Sequence, residues 1–204
     1  MITGRTIEDQ FDAILDVYNN IPMDGSISIL TGSNGSGKSF IRQQLNFRDE
    51  VRRAKKKIAH CSMQLRTGLG GAESAFTHDL GFDPTSVNTL NFIQVVSRSI
   101  HGGFMVLDEI EVGCSEETLM GMVDWINGHI REAIKDTLGC MVITHSPYVV
   151  RNLKFDHWFN LDGYKTPEDW LGRQIVAVDI EKLRKDAHDL FRYITNKEYK
   201  KGKK

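Results

Sequence analysis

Gly32-Ser33-Asn34-Gly35-Ser36-Gly37-Lys38-Ser39 fits G-x-x-x-x-G-K-[ST] at every fixed position. Ile27, Ile29 and Leu30 precede it and read as a strand, and a helical pattern resumes with Phe40, Ile41 and Leu45. Strand, glycine-rich loop and helix in that order is the context in which this motif binds phosphate. The glycines let backbone N–H groups turn inward around an anion, and the start of the helix adds a positive dipole. All eight residues are therefore candidate cofactor contacts. Lys38 is expected to reach the β- and γ-phosphates of ATP, and the Ser39 hydroxyl to coordinate Mg²⁺. The competing reading is a plain strand–helix turn with a solvated lysine, and it is disfavoured by the flanking pattern.

Downstream, Phe104-Met105-Val106-Leu107 is a continuous apolar run ending in Asp108-Glu109, as in a buried parallel strand that delivers two carboxylates at its C-terminal end. Open α/β sheets bind their ligands at that end. Asp108 is the candidate holder of Mg²⁺ and Glu109 the candidate general base. Met141-Val142-Ile143-Thr144-His145 repeats the layout, which makes His145 a candidate sensor of the γ-phosphate. Its alternative role is that of a surface or helix-capping residue before Pro147. The remaining six histidines have no such setting and read as structural or solvated.

Other segments fill in the architecture. A helix is expected over Thr6 to Asn19 and a strand at IAHCSM (58–63). A helix follows over Ser86 to Ile100, and another over Ser115 to Leu138, capped by Ser115 and followed by Gly139. Two more strands are expected at His157 to Leu161 and Gln174 to Val178. A last helix, Ile180 to Ile194, runs into a Lys-rich tail. Alternating strands and helices predict an α/β fold, a mostly parallel sheet flanked by helices. The 204 residues fit one domain, with an N-terminal helix in 1–23, a nucleotide-binding core in 24–161 and a C-terminal strand, helix and basic tail in 162–204.

Composition excludes other classes. Lys plus Arg number 26 against 27 Asp plus Glu, so the chain is not a uniformly basic nucleic-acid coat. No apolar stretch is long enough to span a membrane, and the N-terminal segment lacks a signal-peptide pattern. Three cysteines without a CxxC argue against a disulfide framework or zinc site, so a reducing cytoplasm is the expected compartment.

GSNGSGKS, FMVLDE and VITHS, in that order, resemble the motifs of an ABC-type ATPase head. Asp108-Glu109-Ile110-Glu111 is similar to the D-E-P-E of the RecF-like and OLD-like, DNA-associated branch, with isoleucine in place of proline. The resemblance covers most of residues 24 to 161. It implies a Mg-ATP site, a head-to-tail homodimer formed on ATP, and a partner in DNA or a nuclease or other DNA-processing subunit. It assigns Gln64 to the loop glutamine that contacts Mg²⁺ and the attacking water, and Glu111 to Glu117 to the segment that crosses the dimer interface. Ser86 takes the place of the signature serine that clamps the partner's γ-phosphate, but Thr85-Ser86-Val87-Asn88-Thr89 lacks the L-S-G-G-Q glycines, so a plain N-cap serine stands beside that role. An aromatic for adenine is not evident: Tyr18 is a candidate, with a core position as its other reading. The space between Gln64 and Ser86 is short, which implies a reduced helical subdomain.

Three further readings compete. An ATP-gated interaction module with negligible turnover would tolerate the altered signature. A nucleotide or small-molecule kinase would need an Arg-bearing lid, and residues 70–97 contain neither Arg nor Lys. A transporter's ATP-binding subunit is disfavoured by the short middle region. Arg52 to Lys57 and the Lys-rich tail are either contacts for a phosphate backbone or solvated faces. Trp170 reads as a packing anchor.

Overall fold

The structure, a computed structural model, describes residues 6–53, 58–61, 90, 94 and 102–201. Its centre is a five-stranded sheet: β1 (Ile27–Thr31), β2 (Ile58–Cys61), β3 (Phe104–Asp108), β4 (Gly139–Ile143) and β5 (His157–Asn160), in spatial order β2-β3-β4-β1-β5. Every pairing is parallel, with registers such as Ile29 opposite Val142 and Leu107 opposite Val142. β1 and β4 are buried along their whole length, and β3 up to Leu107. Strands covered on both faces have no polar face to show, which is why they read as continuous apolar runs.

Helices cover each face. On one side, α1 (Ile7–Asn20), α2 (Lys38–Gln44) and α7 (Ile180–Lys201) pack Phe11, Ile14, Ile41, Leu190 and Ile194 onto Leu30, Val106 and Ile143. On the other, α4 (Glu116–Ala133), α5 (Pro147–Asn152) and α6 (Pro167–Leu171) pack Val123, Ile126, Val149 and Trp170 onto Ile29, Leu107 and Val142. α3 (Asp49–Arg53) is a short helix between α2 and β2. Each such buried aliphatic side chain contributes about 1.5–3 kcal/mol by leaving water. Among the described residues no helix is long and apolar enough to cross a membrane.

Local signals account for the ends. Thr6 and Asp9 form a reciprocal capping box at α1. Ser115, Ser146 and Thr166 cap α4, α5 and α6 through their hydroxyls. Pro147 and Pro167 occupy the first helical positions, where a missing N–H costs nothing.

Two expectations are corrected. The helix from Ser115 stops at Ala133 rather than Leu138, and Gly139 opens β4 instead of ending the helix. Its φ of +124° suits glycine, and a Cβ there would stand 2.6 Å from the Ser26 carbonyl oxygen. Among the described residues Gln174 to Val178 forms no strand and joins no ladder. Ile175 and Val176 are 85% and 67% exposed, and among the described residues no strand pairs with them. The expected helix over Ser86 to Ile100 falls largely outside the described residues.

Candidate functional site

Because all five strands run the same way, their C-terminal ends meet along one edge of the sheet. β1 leads into Gly32–Lys38, β3 into Asp108 and Glu109, and β4 into Thr144 and His145. β4 lies between β1 and β3, so the histidine stands between the glycine-rich loop and the carboxylates. A cavity of about 520 Å³ is lined by Asn34 to Ser39 together with Asp108, Glu109 and His145. Residues far apart in sequence are thus brought to one place. Gln64 and Ser86 lie outside the described residues.

The loop is tightly held. Gly37 has φ +106°, and a Cβ there would run into Ile14 of α1. Ser33 donates its N–H and its hydroxyl to Asp162 at 2.9 and 2.7 Å. Gln10 of α1 donates to the Gly35 carbonyl at 3.2 Å. Ala187 of α7 packs over Gly35. α1 and α7 are joined to each other by Phe11 and Tyr193, edge to face at 5.6 Å, and by a hydrogen bond from Tyr193 to Glu8.

Lys38 is 7% exposed, and its Nζ donates to the carbonyls of Gly32 and Ser33 at 2.8 and 2.9 Å. Burial pushes this ammonium down to about 8, against the pull of Asp162, Glu109, Asp108 and Glu111. Asp108 forms an ion pair and hydrogen bond with Arg42, one helical turn beyond Lys38 on α2. Burial raises the Asp108 carboxyl, and Arg42 opposes that rise.

Glu109 is the one non-glycine residue with positive φ among those described, at +53°. Its N–H continues the β3–β4 pairing by donating to Ile143 at 2.8 Å. The sharp backbone turn brings its carboxylate 3.3 Å from His145 Nε2, though without the alignment of a hydrogen bond. Burial, then Lys38, push the His145 imidazole below its usual value, with Glu109 pulling the other way. The histidine is therefore neutral near pH 7. Glu111 fixes this turn by accepting from the Thr144 hydroxyl at 2.8 Å and the His145 N–H at 2.7 Å.

Sequence reading did not single out Arg42, Asp162 or the bracing role of Glu111. Asp162 follows β5 as Asp108 closes β3, and that repeated layout was the available signal. Arg42 stands four residues after Lys38, which puts the two on one helix face. Tyr18 lies away from the cavity, its ring covered by the Arg48 guanidinium at 5.4 Å. Trp170 is buried at 2%, as a packing anchor should be, with Arg173 stacked on it at 3.5 Å.

No family model matches the chain, and no curated protein matches it. Solved structures with some likeness include C. elegans PCH-2, at 13% identity and a TM-score of 0.39 over 76% of this chain and 40% of that one. Cdc6p from Pyrobaculum aerophilum has 16% identity and a TM-score of 0.38, over 75% of this chain and 44% of that one. AMPPCP-bound DnaA from Aquifex aeolicus has 10% identity and a TM-score of 0.42, over 93% of this chain and 64% of that one. The chain therefore spans less than two thirds of the length of each of these proteins.

The donors at the cavity suit a hard cation. Ser39 and Asp108 offer oxygen, and a cation bound there would displace the Arg42 guanidinium that pairs with Asp108. Among the described residues no three acidic, His or Cys side chains converge as a metal cage. Mg²⁺ typically takes one or two carboxylates plus substrate phosphates rather than such a cage.

Proposed function

We propose that the chain binds Mg-ATP and hydrolyses it, as an ATPase of the ABC type. The observation that carries this reading is the single cavity shared by the phosphate loop, Asp108-Glu109 and His145. Lys38 exchanges the Gly32 and Ser33 carbonyls for phosphate oxygens. Ser39 and Asp108 would hold Mg²⁺, with Asp108 released from Arg42, and the ion would supply positive charge to the transferred phosphoryl group. Water attacks the γ-phosphorus, the bond to the β-phosphate oxygen breaks, and Glu109 takes the water's proton. Neutral His145, beside that carboxylate, orients the reacting groups. Gln64 is assigned to the attacking water by resemblance.

The same reading includes a head-to-tail homodimer. Glu109 and His145 are 39% and 33% exposed in their side chains, which leaves them open to a second copy's segment around Ser86. Coupling to DNA or a DNA-processing partner rests on the D-E-x-E resemblance and the basic run from Arg52. The alternative is a nucleotide-gated module without turnover.

The test is ATP turnover with and without double-stranded DNA, beside the Glu109→Gln variant. ATP binding should persist in that variant while turnover falls about 100-fold or more. Intact turnover in Glu109→Gln would remove the assigned base. ATP binding with no turnover in either protein would favour the gated module.

A further inference from the structure

The cavity at the phosphate loop is lined by two unlike sets of side chains. One is ionic, with Lys38, Arg42, Asp108 and Glu109. The other is apolar, formed by Phe40 of α2 and by Leu190, Phe191 and Ile194 of α7. α7 crosses the loop at Ala187, which packs over Gly35. Phe191 lies four residues further on, so it shares the helix stripe that starts at the loop. Its neighbours Leu190 and Ile194 are 3% and 5% exposed and anchor the helix to the sheet, whereas Phe191 is 67% exposed. The core accounts for those two residues and leaves the phenyl ring of Phe191 unexplained.

A ligand that fills this cavity needs phosphate oxygens for the glycine-rich loop and Lys38, since Arg42 and Asp108 are paired with each other, and a flat apolar face for the aromatic residues. A nucleoside triphosphate has that polarity. We propose that α7 supplies the wall of the base subsite, with Phe191 stacking on the base of the bound nucleotide and Phe40 closing the opposite side. This rests on the reading of Gly32–Ser39 as a triphosphate site and adds the element that distinguishes a nucleotide from bare phosphate. The sequence's candidate, Tyr18, does not line this cavity, and Arg48 lies over its ring.

Isothermal titration of ATP and of inorganic triphosphate against wild type, Phe191→Ala and Phe191→Trp tests it. Removing an aromatic that stacks on one base weakens binding about 5- to 150-fold. Phe191→Ala should lose that much affinity for ATP and keep its affinity for triphosphate, while Phe191→Trp restores ATP binding. Equal loss of both ligands would mean that the substitution only disturbs α7, and would overturn the proposal. So would unchanged ATP affinity. A wild type that binds triphosphate as tightly as ATP would refute the base wall and leave the phosphate loop standing. Failure to bind either ligand would remove both readings.

Discussion

Lys38 should destabilise the ligand-free fold, by an amount that depends on pH. Its ammonium is buried, and burial pushes its pKa from 10.5 to about 8. Below about pH 8 the lysine is charged in both the folded and the unfolded chain, and the full burial penalty acts on the fold. Between about 8 and 10.5 the folded chain has shed the proton while the unfolded chain keeps it. Stability therefore rises with pH across that window. The displacement corresponds to roughly 3 kcal/mol in full, of which about 2 kcal/mol is recovered between pH 7 and 9.5. Guanidinium unfolding followed by circular dichroism, on wild type and Lys38→Met at both pH values, isolates the effect, since the other groups titrate in both proteins. Wild type should gain about 2 kcal/mol over the variant on going from pH 7 to 9.5. A difference that stays flat would mean that the ammonium is hydrated, and the burial argument would fail.

Two structural predictions accompany it. Asp162→Ala deprives both Ser33 donors of their shared acceptor, at a cost of about 1–3 kcal/mol, and should speed amide exchange at Ser33 and its loop neighbours. Unchanged protection there would show that the loop does not depend on Asp162. Gly139→Ala meets both a left-handed backbone and the Ser26 carbonyl, so about 2 kcal/mol or more should be lost, with a Tm lower by about 5 °C. An unchanged Tm would contradict the backbone described at the start of β4.

The elements that carry the candidate site were legible because each has a local mark. The loop has fixed glycines, β3 and β4 are apolar runs with polar tips, and Ser115 announces α4. The short helices α5 and α6 offer too few residues for periodicity, although Ser146-Pro147 and Thr166-Pro167 signal their starts. Gln174 to Val178 misled because β-branched composition describes a surface that a neighbour must complete. The ion pair of Arg42 with Asp108 and the capping of Ser33 by Asp162 join segments 66 and 129 residues apart. Such pairings follow from which helix lies over which strand, and no window of sequence contains them.

The brace of α1 and α7 across the glycine-rich loop has a consequence for how the chain is made. α1 and the loop leave the ribosome early, whereas α7 follows every strand of the sheet. Until α7 emerges, the face bearing Leu30 and Ile143 lacks Leu190 and Ile194, and Gly35 lacks its cover. The nascent sheet can close first, with the loop still open on one side. Docking of α7 is then the step that finishes both the second core and the cavity, so a chain stalled before that helix would carry every motif and an incomplete pocket.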